Sequence, residues 1–486
     1  MKMRHPHGLT VLYLTEVWER FSFYGLRALL VLYLNSGVLE DTRFQQVYGA
    51  NLVLAIFGRP TVQALSSQIN EMYSGVAYLT PLAGGVVADH MLGTRATLIV
   101  GGLLMAAGHG CMAYERTFLV GLLLLVLGNG GFKPTITALL SRLYEQPGLA
   151  ALRDRGFAIF YTGINVGALL APLVCGALQM HIGYDAGFGA AGVGMLIGLV
   201  VFLAGSSHIP RDDGQHTMAE LRRPDPHGER LLPFAQQDDG HDPPPAGAAG
   251  TARGGTMAAL LGLCALIIPY WMAFEQQANT MPLFFRDMAQ RELFGGFTVP
   301  AAWLQALSPL FCVCLMPVVT ALWAAQARRG TEPQPCIKMA LGCMLQGASW
   351  LLVALGSISV SEQAKAPFAL PVAAVVLLSA GQLYLAPVGL ALVSRLAPPS
   401  MRSTAVGFWF VSGGLGGVFA GPLGALYSSW TPPAFFALLS MLCMVNGLLL
   451  ATAGPALHRM AAARGGDAHA KRDDDQTLLH MEECCD

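Results

Sequence analysis

Four charged side chains stand inside a stretch that is otherwise apolar enough to cross a bilayer, and this placement limits what the chain can fold into. From about residue 8 to residue 34 the sequence is apolar and aromatic, longer than the roughly 20 residues a spanning helix needs. Glu16, Glu19 and Arg20 stand at i, i+3 and i+4, so they share one helical face. Arg27 follows one heptad after Arg20 and falls close to the same stripe. One ionised side chain at the centre of a spanning helix costs about 2.5–3.5 kcal/mol even on the mildest scale. Four on one face therefore predict a polar interior shared with other helices, not exposure to lipid.

The rest of the chain repeats this character. Hydrophobic residues make up 54% and charged residues 12%, against about 25% charged in a soluble domain. The hydropathy pattern predicts twelve spans, near 9–34, 68–88, 96–114, 118–143, 156–179, 184–205, 257–285, 301–326, 337–357, 367–394, 403–429 and 433–455. The fold class expected is an all-α membrane protein. A net charge of -1 gives no reason to expect a nucleic-acid partner, and no cofactor or metal site is expected. The ten cysteines lie mostly within apolar spans and contain no CxxC pair, so no disulfide framework is expected. No secretory signal is expected ahead of the first span, since residues 1–7 lead directly into it.

Charge asymmetry sets an expected orientation. With the N-terminus placed in the cytoplasm, 20 of the 29 Lys and Arg residues fall on the cytoplasmic side and 6 on the other. The remaining three, Arg20, Arg27 and Lys133, lie within spans. This is the bias that the positive-inside rule requires, and it puts both termini in the cytoplasm, the cell membrane being the expected location.

An acidic, Pro- and Gly-rich segment divides the spans into six and six. It includes Arg211-Asp212-Asp213-Gly214 and Asp242-Pro243-Pro244-Pro245, and it reads as a solvated linker. The expected organisation is an N-terminal bundle over 1–205, a cytoplasmic linker over 206–256, a C-terminal bundle over 257–455 and a cytoplasmic tail over 456–486. A faint repeat links Asp89 to Arg95 after the second span with Gln326 to Gly330 after the eighth. Two six-helix bundles around a midplane site are the organisation of a major facilitator transporter.

Lys133 lies inside the fourth span, in Gly131-Phe132-Lys133-Pro134, and Glu275 inside the seventh, in Phe274-Glu275-Gln276. With Glu16, Glu19, Arg20 and Arg27 they make three acids and three bases, a balance that predicts a paired network, because each ion needs a partner away from water. Static bridges fixing helix register are one reading. A proton relay, in which a carboxylate exchanges a basic partner for a proton, is the other.

At these residues the chain resembles the proton-dependent oligopeptide transporters, the POT or PTR2 family. Glu16-Val17-Trp18-Glu19-Arg20-Phe21-Ser22-Phe23-Tyr24 is similar to the family signature ExxERFxYY. The likeness continues through Gly84-Gly85-Val86-Val87-Ala88-Asp89, Phe132-Lys133-Pro134, Phe160 to Gly167 and Ala386-Pro387-Val388-Gly389. The resemblance implies a major facilitator fold and symport of protons with di- and tripeptides, a small-molecule substrate, across a lipid bilayer. It implies proton coupling by Glu16, Glu19, Arg20 and Glu275, with Glu275 the partner of Lys133 across the halves. It implies a substrate site of Tyr24, Arg27, Tyr78, Lys133, Asn165, Gln382 and Trp409, with Arg27 and Lys133 receiving a carboxylate.

Three positions depart from the family pattern. Phe23 stands where a tyrosine is usual, which is expected to remove a hydroxyl from the pocket, and Ser308 stands where Asn is common. Gln382 occupies the position of the glutamate that receives a peptide's amino terminus, and an amide cannot neutralise that charge. Non-peptide solutes such as nitrate or amino-acid conjugates are therefore the alternative cargo, and a transporter-like nutrient sensor is the alternative role. An enzyme is not expected, since neither HExxH nor GxSxG occurs.

Overall fold

The computed structural model describes residues 5–145, 149, 152–210, 257–361, 364–397 and 401–465. The expected linker from residue 211 to 256 and the tail beyond 465 lie outside the described residues.

The first helix, α1, runs from His7 to Tyr33 after an extended Pro6 and closes on a wide turn in which Gly37 takes φ 101°. Two short helices, Asp41–Phe44 and Ala50–Phe57, lead to α2, Val62–Val87. Thr61 caps α2 by accepting the Ala64 amide on its hydroxyl at 3.3 Å, which satisfies one of the orphan donors of a helix start. Then follow α3 (Thr94–Met112), α4 (Phe118–Leu143), α5 (Arg153–His181) and α6 (Tyr184–Gly205). The second half holds α7 (Met257–Met288), α8 (Leu304–Arg328), α9 (Pro335–Gly356), α10 (Ala369–Leu396), α11 (Arg402–Ala425) and α12 (Pro432–Gly465).

Eleven of these elements are long and apolar enough to cross a membrane, and α2 is the twelfth. It starts at Val62 rather than near 68, and its first turns carry Ser66, Ser67, Asn70, Glu71 and Ser74, all buried. Those polar residues lower its hydropathy because they face protein, not lipid. The lipid-facing belt is supplied by side chains such as Leu103, Leu123, Val200, Val318 and Met441, all exposed.

Within the first bundle α1 packs on α5 and α6, and α4 on α2 and α3; within the second, α9 packs on α10 and α12, and α7 on α11. The halves meet chiefly through α2 with α11 and α5 with α8. The α2/α11 seam is a close backbone approach, the kind that small residues permit. A Cβ on Gly75 would lie 2.5 Å from the Val418 nitrogen, and one on Gly417 would lie 2.8 Å from the Gly75 Cα. Gly75→Val should therefore wedge this seam apart. Ser67, fully buried at its far end, supplies the readout. A cysteine placed there should react with a membrane-impermeant thiol reagent on the order of tenfold faster in the Gly75→Val background. An unchanged rate would mean that this seam does not close that face.

The seventh span is broken. Helix Ile268–Glu275 stops and helix Thr280–Met288 begins after four turn residues. Irregular backbone inside a membrane protein persists only where protein satisfies it, and Gln276 shows how. Its amide nitrogen donates to the carbonyls of Met272 at 3.3 Å and Ala420 at 2.9 Å. Its amide oxygen accepts from Asn279 and from Thr280, both at 3.2 Å.

Hydrogen bonds that cross between the halves lie toward the end opposite the termini. Gln63 donates to the Gly424 carbonyl (3.2 Å), Arg286 to Asn35 (2.7 Å) and the Trp303 indole to the Leu173 carbonyl (2.9 Å). On the terminal side of α5, by contrast, Tyr161 is 61% exposed. The two bundles are joined at the distal end and part toward the termini.

Candidate transport site

The charged face of α1 is buried, and its members pair as their spacing dictates. One helical turn apart, Arg20 and Glu16 bring Nε and Oε1 to 3.2 Å. Glu19 closes the other side of the guanidinium, accepting from both Nε and Nη2, the latter at 2.7 Å. The Arg20 guanidinium also lies 5.1 Å over the Phe23 ring, a cation–π contact. Phe23 is itself buried, so the missing tyrosine hydroxyl is not lost from an open pocket. The aromatic ring instead covers the face of the cation.

Lys133 of α4 sits with its ammonium 4.7 Å above the ring of Tyr78 on α2. It is within electrostatic reach of Glu16, Glu19 and Arg20. The expected pairing of Lys133 with Glu275 is corrected by the structure, because Glu275 binds Arg27 instead, in a buried ion pair. The geometry explains the exchange. Arg27 and Glu275 lie on α1 and α7, the first helices of the two halves, whereas Lys133 lies beyond α2 on α4. Among the described residues, the one ion pair that ties half to half is therefore arginine to glutamate. Arg27 is accordingly occupied, and Lys133 is the more available cation for a ligand.

The remaining expected residues are dispersed. Tyr24, Tyr78 and Lys133 are half-buried on the first bundle. Asn165, also half-buried, donates to the Tyr161 carbonyl at 3.1 Å. Gln382 on α10 is half-buried, and its side-chain oxygen accepts from the Cys312 thiol of α8 at 3.4 Å. Trp409 is not on an open wall. It is 4% exposed, seated where a Cβ on Gly389 would clash with its ring and edge-on to Trp271 at 6.4 Å. Trp271, half-buried on α7, is the aromatic in front of it that sequence reasoning passed over.

Glu71 of α2 was also missed. It is fully buried and within electrostatic reach of Arg27 and Glu275. It lies one heptad before Tyr78, so it shares that residue's face, and this was the available signal. Among the described residues, no group of His, Cys, Asp or Glu is placed to hold a metal ion.

This arrangement can be set beside known proteins. The family PTR2, described as the POT family, matches residues 95–219 and 255–434. The chain belongs to the POT family. The peptide transporter YePEPT of Yersinia enterocolitica is 31% identical to it over 86% of this chain and 88% of its own. A di-/tripeptide transporter of Lactococcus lactis subsp. lactis is 30% identical, over 92% and 94%. Among solved structures, a peptide transporter POT in complex with sulfate superposes with a TM-score of 0.77 at 27% identity, covering 95% of this chain and 96% of the other. The POT chain described here therefore has the major facilitator architecture, two six-helix bundles in a membrane. The two break points of this POT protein, the turn in α7 and the α2/α11 seam, adjoin its buried charges.

Proposed function

We propose that the protein is a proton-coupled importer of di- and tripeptides working by alternating access, a transporter and not an enzyme. The observation that carries this reading is the buried Arg27–Glu275 pair, since it links the proton-carrying chemistry of a carboxylate to the closure of one half on the other. The halves would be 1–205 and 257–455, joined by a cytoplasmic linker over 206–256 and followed by a cytoplasmic tail over 456–486. The protein would lie in the cell membrane with both termini inside. In that orientation the seam formed by α1/α7, α2/α11 and α5/α8 is the outer gate, shut here, and the molecule faces the cytoplasm.

Protonation of Glu275 would cost Arg27 a charge partner and loosen the outer gate. Glu16, Glu19 and Arg20 would hold a second relay, with Lys133 as the cation nearest to it. Lys133, with Tyr24, Tyr78 and Asn165, would receive the substrate's carboxylate, with Arg27 joining once released. A guanidinium offers a planar fork to a carboxylate and an ammonium a compact, movable charge. Gln382 would face the amino end, with the aromatic pair Trp271 and Trp409 behind it.

A specific feature favours a wider cargo than free peptides. An amide at position 382 can accept from an ammonium or donate to a carbonyl, but it leaves the ammonium's charge unbalanced. N-acetyl dialanine should then compete for dialanine uptake into proteoliposomes nearly as well as dialanine does. Gln382→Glu should shift preference toward the free amine by about tenfold, equivalent to 1.4 kcal/mol. A wild type that takes up dialanine yet rejects every N-blocked competitor, and that Gln382→Glu leaves unchanged, would place the amine elsewhere. Failure to take up any dipeptide, with uptake of a small anion instead, would overturn the peptide reading.

A further inference from the structure

We propose that Glu71 is a second proton-carrying residue, the alternate partner of Arg27, which shares one proton with Glu275. This deepens the reading above and rests on it for its place in the cycle. The side chain is fully buried. Its Oε1 accepts from the Asn70 amide at 2.8 Å, while its Oε2 finds no hydrogen-bond partner among the described residues. It is within reach of the Arg27–Glu275 pair, and Gly421 of α11 packs over it, where an added Cβ would lie 3.4 Å from its own. The acid therefore stands buried beside a pair that is already complete.

Charge counting decides its state. The titratable groups near this point are Arg27 and Tyr24 of α1, Tyr73 and Tyr78 of α2 itself, and Glu275 of α7. Lys133 of α4 lies on the far side of Tyr78 and within reach of Arg27. From α11 the residues that pack along this stretch, Gly414, Gly417, Val418 and Gly421, carry no titratable group. Two carboxyls thus face one guanidinium in a buried cluster, and like charges so placed cannot both be ionised. With Glu275 ionised on Arg27, the proton resides on Glu71.

The placement on helices gives this a purpose. Arg27 and Glu71 belong to one half and Glu275 to the other. When the outer gate opens, Glu275 leaves with α7. If the Glu71 proton passes to Glu275 as they separate, the Glu71 carboxylate takes over Arg27 and Glu275 departs neutral. One O–H bond breaks on Glu71, one forms on Glu275, the charge is conserved, and no buried ion is stranded on either half. Without Glu71, opening would leave Arg27 alone in the protein interior, the costly outcome for a buried pair.

The test uses the purified full chain in lipid nanodiscs near neutral pH, read by the infrared carbonyl stretch of a protonated carboxylic acid. The wild type should show that band, and Glu71→Gln and Glu275→Gln should each lose it, because the carboxyl left behind pairs with Arg27 and ionises. Persistence of the whole band in either variant overturns the proposal. In proteoliposomes with an inward proton gradient, Glu71→Gln should lower dialanine uptake on the order of tenfold or more. Glu71→Asp should keep the wild-type pH profile. Wild-type rate and profile in Glu71→Gln would also overturn it. A wild type that takes up no dialanine would sink the peptide reading alone, and the infrared comparison would still decide for or against Glu71.

Discussion

Glu275→Gln should abolish gradient-driven accumulation of dialanine while leaving exchange of substrate across the membrane intact. The amide keeps the shape of the side chain but can neither bind Arg27 as an ion nor release a proton, so the seam between the halves should lose both its lock and its dependence on pH. Removing one partner of a buried pair costs about 3–5 kcal/mol when the other is left alone, but Arg27 has Glu71 beside it, and the fold should survive. Glu19→Gln should fail in the same way through the second relay, since Glu19 accepts twice from Arg20. Uptake of labelled dialanine with and without an imposed proton gradient, and counterflow from preloaded vesicles, separates the two functions. Full accumulation by either variant would remove that residue as a proton carrier.

Lys133→Ala should weaken free-acid peptides far more than their C-terminal amides. A hydrogen bond to a charged group is worth roughly 1.5–3 kcal/mol, which corresponds to a loss on the order of tenfold to a hundredfold. The effect should exceed that of Arg27→Ala measured on the same pair of ligands, because Arg27 is occupied by Glu275 in a buried ion pair, whereas Lys133 lies over the face of Tyr78 and makes no ion pair among the described residues. Arg27→Ala should in addition disturb the gate and so depress transport of acid and amide alike. Competition by dialanine and by dialanine amide, measured for both variants, distinguishes a carboxylate receptor from a structural cation. Equal losses for the two ligands in Lys133→Ala would assign Lys133 to the relay instead.

Much of the architecture could be read from residue types alone. Eleven spans are long apolar runs that nothing but lipid or a protein core explains, and their helices end within a few residues of the expected limits, apart from α12, which runs on to Gly465. The buried Glu16–Glu19–Arg20 triad followed directly from i, i+3, i+4 spacing. What was hidden depended on contacts between distant segments. Glu275 could pair with either interior cation by charge, and only the placement of α1 against α7 selects Arg27 over Lys133. Glu71 escaped because it sits among serines and amides, where a lone acid near the start of a span reads as an interfacial residue. Its burial is created by α11, some 350 residues away. Trp409 fitted a wall by motif, yet Gly389 provides a seat for its ring that no local pattern announces.

The central claim is that substrate and proton cross together. It is tested most directly in proteoliposomes holding a pH-sensitive dye, with equal pH on both sides and dialanine added outside. The account predicts that dialanine acidifies the lumen, that the acidification tracks dialanine uptake, and that Glu275→Gln removes it. Dialanine uptake with no acidification, or binding without uptake, would contradict it.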